Sequence, residues 1–167
     1  MFCHFLKQRK PVRFALIDHD VFPMKDYSFI DKLGEQDFWG VGRVKGAGWY
    51  LWPGWCVFKY DAIADRNPNF LPVIVDGFYF DAGGGNHSRI YRHYELKGVD
   101  FADVKTIRIK RTKGLTAYDI YHCDCIQVID HVWLHLINGS NCAKIQGKER
   151  LVNKMIDRME ELRCYVE

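Results

Sequence analysis

Short apolar runs, interrupted by polar, glycine and proline residues, fill most of the chain and predict several short elements. Pro11–Asp18 is predicted as a buried strand, because its apolar residues are nearly continuous and a polar turn follows before Pro23. Asp26–Leu33 is predicted as a short helix that ends at Gly34, since glycine commonly follows the last helical turn. Asp61–Asn69 is predicted as a helical turn that an Asn-Pro pair closes.

Two further apolar stretches predict a pair of strands in the middle of the chain. Leu71–Phe80 and Arg89–Lys97 each carry apolar residues at short intervals, and Gly83–Asn86 lies between them. Glycine and asparagine are residues that tight turns favour. The two stretches are therefore predicted as an antiparallel hairpin in which Asp76 faces residues 93–95.

A second hairpin is predicted from Lys105–Arg111 and Thr116–Ile129, with its turn at Lys113-Gly114. A two-residue turn at this point places Ile107 opposite Ile120. In that register one face of the hairpin is apolar and the other carries a charge pair, so the pattern is self-consistent.

The last part of the chain has the clearest helical pattern. Its apolar residues recur at helical spacing, at Leu151, Val152, Met155, Ile156, Met159 and Leu162. Charged residues fill the positions between them, which is typical of a helix with one face packed on a sheet. The chain is therefore predicted to have an α+β fold, with an antiparallel, aromatic-rich sheet covered by a C-terminal amphipathic helix in a single compact domain over residues 1–167.

The composition is that of a globular protein with a slight excess of positive charge. Hydrophobic residues make up 48% and charged residues 27% of the 167 residues, and the formal net charge is +3. A mildly basic chain is compatible with nucleic acid as a partner. Scattered cysteines, no secretory leader and no apolar run near the ~18 residues of a membrane helix predict a cytoplasmic protein with reduced thiols and no membrane association.

A tryptophan-rich segment, Phe38–Tyr60, is the most unusual stretch of the sequence. Trp49, Trp52 and Trp55 lie in it among several glycines, together with basic residues. Large flat rings on a turning backbone suit either a tightly bent β core or a stacking surface for bases or a partner. These three tryptophans are the candidate partner-binding residues, because tryptophan is frequent in energetic hot spots of interfaces.

The predicted second hairpin is strongly basic. Five cations fall within nine residues: Lys105, Arg108, Lys110, Arg111 and Lys113. A two-stranded ribbon with a cationic tip can enter a groove of DNA or lie along phosphates, so these residues are the candidate nucleic-acid contacts. The alternative is a solvated edge hairpin whose lysines prevent edge-to-edge pairing.

Histidine and cysteine residues cluster after this hairpin. His122, Cys123, Cys125 and His131 are residue types that bind zinc, and four of them would complete a tetrahedral site. In a regular strand His122 and Cys123 face opposite sides, which disfavours the site. Buried thiols and hydrogen-bonded histidines are the alternative, and no cofactor is predicted.

The predicted first hairpin contains a pattern of acidic and basic residues. Asp76, Glu95 and Lys97 resemble the core motif of the PD-(D/E)xK nucleases, which is an aspartate followed by Glu-x-Lys on the neighbouring strand. The resemblance implies that the two carboxylates hold Mg²⁺ and that the lysine positions the attacking water. The alternative is a surface strand with an ordinary Glu/Lys pair.

Three functions stay open for the whole chain. The leading hypothesis is a nonenzymatic regulatory protein that binds DNA or RNA and also a protein partner, because no complete catalytic constellation competes with it. The alternatives are a Mg²⁺-dependent nuclease of the PD-(D/E)xK type and a protein-binding inhibitor without nucleic-acid contact.

In length and in its mildly basic, aromatic-rich composition, the chain is similar to the small early proteins with which phages take over host machinery. The T-even phage transcription terminators of the Alc type are an example that the chain is similar to in these respects. This resemblance implies host RNA polymerase and unmodified, cytosine-containing DNA as partners, in the host cytoplasm. It is a resemblance of overall type and assigns no role to any residue of this chain.

Overall fold

The computed structural model describes Leu6, residues 8–108, residues 125–137 and Asn153. The described residues fall into two compact units. The first unit contains residues 8–18 and 28–102 with Leu6, and the second contains residues 19–27, 103–108 and 125–137. The predicted C-terminal helix lies outside the described residues apart from Asn153, and the single domain stays a prediction.

Every strand pair that the structure describes is antiparallel. The strands are β1 Arg13–Ile17, β2 Val21–Pro23, β3 Phe38–Lys45, β4 Gly48–Lys59, β5 Val73–Val75, β6 Phe78–Phe80, β7 Val104–Arg108, β8 Cys125–Ile129 and β9 Trp133–Leu136. The α-helices are α1 Phe29–Leu33 and α2 Tyr60–Ile63, and single 3₁₀ turns lie at Ala64–Arg66, Gly84–Asn86, Tyr91–His93 and Leu96–Gly98. Antiparallel sheets combined with helices confirm the predicted α+β character.

The first unit is built on a three-stranded sheet in the order β1-β4-β3. The pairing of β3 with β4 is interrupted, because Gly40 pairs with Cys56 whereas Gly42 pairs with Leu51. The four residues 52–55 of β4 therefore lie opposite the single residue Val41, which makes a large bulge. Gly40 permits the close approach of the strands, since a Cβ there would lie 2.7 Å from the Cα of Cys56.

Aromatic side chains dominate the core of the first unit. Phe38 packs edge-on against Tyr91, with ring centroids 5.4 Å apart, and also contacts Trp49 at 5.9 Å. Trp55 contacts Trp39 at 5.0 Å and is 0% exposed. These rings bury large apolar areas in the edge-to-face and tilted geometries that aromatic pairs prefer.

The predicted helices of the first unit are confirmed in shortened form. α1 begins after Ser28, whose Oγ accepts a hydrogen bond from the N–H of Asp31, and it ends at Gly34, which has a φ of 50°. The predicted turn over 61–69 appears as α2 and a 3₁₀ turn that ends at Asn67, with a left-handed φ of 48°. The β1 strand is confirmed as a strand, but it alternates between exposed and partly buried positions rather than being buried.

The predicted hairpin of Leu71–Phe80 with Arg89–Lys97 is wrong. The first stretch is itself a hairpin, because Asp76 and Gly77 turn the chain with φ values of 48° and 80° and join β5 to β6. Positive φ at both central residues is the geometry of a type I′ turn, for which Asp-Gly is a preferred sequence. The second stretch forms 3₁₀ turns rather than a strand.

The second unit contains a four-stranded sheet in the order β2-β9-β8-β7. The predicted register of its basic hairpin is wrong, because Ile107 pairs with Ile126 and not with Ile120. A buried polar row crosses the middle of this sheet. Oε1 of Gln127 accepts a hydrogen bond of 2.8 Å from Nδ1 of His135, and Nε2 of His135 lies 3.7 Å from a carboxylate oxygen of Asp20.

Candidate nucleic-acid interface

Two cations of the first unit lie on one side of β3, and each covers an aromatic ring. Arg43 and Lys45 are two residues apart and so share a face of the strand. The guanidinium carbon of Arg43 lies 5.7 Å from the ring centroid of Trp52, and Nζ of Lys45 lies 5.9 Å from that of Tyr79. Both distances are within the range of cation–π attraction. We call Arg43, Lys45, Trp52 and Tyr79 the cation–aromatic face.

The bulge in β4 places Trp52. A Cβ on Gly54 would lie 2.0 Å from the indole of Trp52, so the ring lies directly against the glycine backbone. The carbonyl of Gly54 accepts a hydrogen bond of 2.8 Å from the N–H of Asp18, which ties the bulge to the end of β1. The Trp52 ring is thus held in place by packing against the backbone of Gly54, and it stays partly exposed. Trp55, at the end of the same bulge, is in the core.

The short β5–β6 hairpin places Tyr79. Tyr79 pairs with Ile74 on the outward side of the hairpin, where they are 57% and 70% exposed. Phe80 points to the opposite side, is 0% exposed and stacks on Tyr50 with centroids 5.1 Å apart. Phe78 lies against the β3–β4 turn, since a Cβ on Gly46 would lie 2.6 Å from its ring. The hairpin is therefore anchored through one side and presents Tyr79 on the other.

Lys45 connects the two hairpins of the cation–aromatic face. Its Nζ donates a hydrogen bond of 2.7 Å to the backbone carbonyl of Tyr79 while it lies over the tyrosine ring. A lysine has three N–H donors, so this bond leaves donors for a phosphate oxygen. The contact holds the ammonium group at the surface, so the Lys45 side chain loses less conformational freedom when it binds a phosphate.

Arg43 occupies a more enclosed position than Lys45. Burial lowers the pKa of Arg43, while the nearby Tyr50 and Asp81 raise it. Burial also raises the pKa of the Tyr50 phenol, whose oxygen accepts a hydrogen bond of 3.1 Å from the N–H of Asp81. An arginine stays charged in proteins despite such shifts, so Arg43 and Lys45 give the face two positive charges, and Arg43 also interacts with Asp81.

The glycine loop that follows β6 supports the hairpin and does not offer an anion site. Its N–H groups are used internally, because Gly83 donates to the carbonyl of Phe70 at 2.8 Å and Gly85 donates to that of Leu71 at 3.0 Å. Asn86 is 0% exposed, and its Oδ1 accepts a hydrogen bond of 2.6 Å from the N–H of Asn69. These bonds fasten the loop to the segment that leads into β5.

The three tryptophans predicted to bind a partner have different environments. Trp49 and Trp55 are 3% and 0% exposed and belong to the core, so in this structure their rings present no surface to a partner. Trp52 is partly exposed and carries Arg43 over its ring. Of these three tryptophans, Trp52 is therefore the candidate for stacking on a base or a partner.

The predicted basic hairpin is described only in part. Lys105 is exposed on β7, which lies at one edge of the described sheet, and Arg108 is the last residue of that strand. Lys110, Arg111 and Lys113 lie outside the described residues. Nucleic-acid contact by these five residues stays a prediction.

The residues of the nuclease hypothesis lie on elements that differ from the predicted ones. Asp76 is in the turn between β5 and β6, so no strand containing residues 93–95 pairs beside it. Glu95 directly precedes the 3₁₀ turn Leu96–Gly98 and Lys97 lies in it, and the two side chains, 79% and 87% exposed, form an ion pair of 3.2 Å. The neighbouring-strand geometry of the PD-(D/E)xK motif is absent from this described part of the chain.

The residues of the zinc hypothesis fall mostly outside the description. His122 and Cys123 are not described, and for Cys125 only its backbone in β8 is described. His131 is exposed in the turn before β9, and its Nε2 lies 3.1 Å from a carboxylate oxygen of Asp103. Among residues 8–108 and 125–137, no three histidine, cysteine or acidic side chains are grouped so that they would hold a metal ion.

Sequence reasoning missed Tyr79 and did not connect Arg43 and Lys45 with particular rings. The Asp76-Gly77 pair was the available signal, because it marks the turn that exposes Tyr79. In comparisons with known proteins, no family model, curated protein or solved structure matches the chain. In the described part of the chain, no helix has the length and apolar character needed to cross a membrane.

Proposed function

We propose that this protein is a nonenzymatic nucleic-acid-binding protein with a regulatory role. The cation–aromatic face is the observation that carries the proposal. It combines two positive charges with the exposed ring of Tyr79 and the partly exposed ring of Trp52, on neighbouring hairpins. Positive charge attracts phosphates and aromatic rings stack on bases, and proteins that bind nucleic acid commonly combine the two.

The arrangement of the face favours binding over catalysis. Each cation already lies over its own ring, and Lys45 is also hydrogen-bonded to a backbone carbonyl. Side chains that are held before binding lose less conformational entropy when a phosphate arrives. Lys105 and the other basic residues predicted to follow it in the second unit are a separate set of candidate phosphate contacts.

The resemblance to phage host-takeover proteins extends the proposal to a particular setting. In that setting the protein acts on transcription in the host cytoplasm, with DNA as one partner and RNA polymerase as the other. The resemblance supports this extension through length and composition alone, and the cation–aromatic face supports the nucleic-acid contact independently of it.

Binding of labelled DNA at several salt concentrations tests the proposal. The wild-type protein should bind more weakly as salt rises, because phosphate contacts release condensed counterions. Lys45→Ala should weaken binding and reduce the slope of log affinity against log salt by about 1, the loss expected for one phosphate contact. Arg43→Gln should act in the same direction.

Two other cation–ring pairs of the first unit provide matched controls. Nζ of Lys32 lies 5.8 Å from the Trp39 ring centroid, and the guanidinium carbon of Arg66 lies 6.0 Å from that of Tyr94. Lys32→Ala and Arg66→Ala remove one positive charge each, outside the cation–aromatic face. Equal losses in all four variants would show that overall charge, not the face, determines binding. An absence of DNA binding at low salt would reject the proposal and favour the protein-binding inhibitor.

A further inference from the structure

We propose that the cation–aromatic face binds single-stranded nucleic acid by stacking an unpaired base on Tyr79. This inference rests on the proposed function and specifies its ligand.

The Tyr79 ring is presented in a way that suits stacking. Tyr79 is 57% exposed, although the strand that carries it is anchored by the fully buried Phe80 next to it. The hydrogen bond from Lys45 to the Tyr79 carbonyl fixes the same residue from the β3 side. A rigid and exposed aromatic ring offers a π face to any base, at a small loss of conformational entropy.

Lys45 lies where it can contact the phosphate of the stacked nucleotide. Its ammonium group is 5.9 Å from the centroid of the Tyr79 ring, so base and phosphate of one nucleotide can be bound by neighbouring groups. Arg43 and Trp52 form a second pair of cation and ring, with Arg43 two residues before Lys45 on the same face of β3. Two such pairs in succession suit two successive nucleotides of an extended strand.

The cations of this face are held against the protein surface, which disfavours readout of duplex DNA. Arg43 lies over Trp52 and is partly buried, and Lys45 is held against the backbone of Tyr79. Reading base edges in the major groove requires side chains that project into it. A duplex also hides the faces of its bases within the stack, so the Tyr79 ring can stack only on unpaired bases.

A comparison of single-stranded and duplex probes tests the inference. A fluorescent oligothymidine of about 12 nucleotides, within the site sizes of strand-binding proteins, is titrated at low salt beside a duplex of the same length. The wild-type protein should bind the single strand about 10-fold more tightly than the duplex. Tyr79→Leu should weaken single-strand binding about 10-fold, because leucine is apolar but has no π face, whereas Tyr79→Phe should retain it.

The outcomes separate the inference from the proposed function. Preference for the single strand, lost in Tyr79→Leu and kept in Tyr79→Phe, supports the inference. Duplex binding as tight as single-strand binding, unchanged in Tyr79→Leu, overturns the inference and leaves the proposed function in place. Single-strand binding that Tyr79→Leu does not change overturns the assignment of this site. Binding of neither probe overturns the proposed function and the inference with it. Thermal unfolding of both variants, expected near that of the wild type because the ring is exposed, verifies that they fold.

Discussion

The tryptophans of β4 are found in two contrasting environments although they are close neighbours in sequence. Trp55 is 0% exposed and contacts Trp39 and Phe29, each with ring centroids 5.0 Å apart. Trp52 is partly exposed and carries the guanidinium group of Arg43. The difference arises from the bulge, because residues 52–55 lie opposite Val41 alone and the regular alternation of the strand is lost between them.

The composition of a segment therefore does not decide the role of its rings. The same stretch supplies the core with Trp49 and Trp55 and the surface with Trp52. Trp52 is placed by contacts that are distant in sequence, to Arg43 on β3 and through Gly54 to Asp18 at the end of β1. Tyr79, the second ring of the cation–aromatic face, comes from a different hairpin altogether.

The largest expected effect comes from removing the core ring. Trp55→Ala should lower the free energy of unfolding by about 3–5 kcal/mol, because it deletes a fully buried ring and leaves a cavity. Trp52→Ala should lower it by about 1 kcal/mol, since it removes a partly exposed ring and one cation–π contact. Urea denaturation of the two variants measures the difference. Equal losses in the two variants would show that the two rings have the same structural role.

A smaller effect is expected at the glycine that supports Trp52. Gly54→Ala places a methyl group 2.0 Å from the indole, so either the ring or the bulge must shift. The free energy of unfolding should fall by about 1–3 kcal/mol, the range for an overpacked site. Binding of nucleic acid should weaken too, because Arg43 loses the ring over which it lies.

Gly98→Ala is the matched control for this substitution. No atom lies within 4 Å of a Cβ at Gly98, so the change should stay within about 0.5 kcal/mol of the wild type. Thermal or chemical unfolding and DNA titration are applied to both variants. If the Gly54→Ala variant were as stable as the Gly98→Ala variant and bound DNA as tightly, the Trp52 ring would not pack against Gly54 in solution.

Sequence reasoning succeeded where the deciding interactions are local. The helix α1 follows from Ser28 and Gly34 at its two ends, which act within one turn of the helix. The left-handed Asn67 likewise ends its turn through its own backbone preference. The bends of the tryptophan-rich segment were predicted from its glycines, but the identity of the buried rings was not, since it depends on the register of β3 against β4.

The candidate site was less predictable than the elements that carry it. Apolar residues on both sides of Asp76-Gly77 resemble one continuous strand, and this interpretation hid the turn that exposes Tyr79. The pairing of Ile107 with Ile126 likewise depends on how the chain returns to the sheet and not on the nearest turn signal. Long-range pairing decides both positions, and no local propensity in the sequence encodes it.

Tyr94 provides the smallest and most specific test, because its ring and its hydroxyl group have separate surroundings. The ring packs edge-on against the core residue Phe38, with centroids 4.8 Å apart, while the hydroxyl donates a hydrogen bond of 2.8 Å to Asp37. Burial, with the hydrogen bond and the charge of Asp37, raises the pKa of Tyr94 from 10.0 to about 12. The folded state thus holds the phenolic proton more tightly than the unfolded state. The resulting stabilisation is complete below pH 10 and is lost as pH rises from 10 to about 12.

Tyr94→Phe keeps the ring and removes the titrating group, so it should lose less stability than the wild type between pH 10 and 12. At neutral pH the variant should be less stable by about 1 kcal/mol, because the hydrogen bond to Asp37 is gone and part of that site is exposed to solvent. Urea midpoints measured at about pH 8, about pH 10 and about pH 11.5 provide the comparison, because they lie below, at the start of and within the pH range in which the stabilisation is lost. Parallel pH profiles for the two proteins would show that the hydroxyl does not interact with Asp37, and that Tyr94 contributes to the core through its ring alone, as Trp55 does.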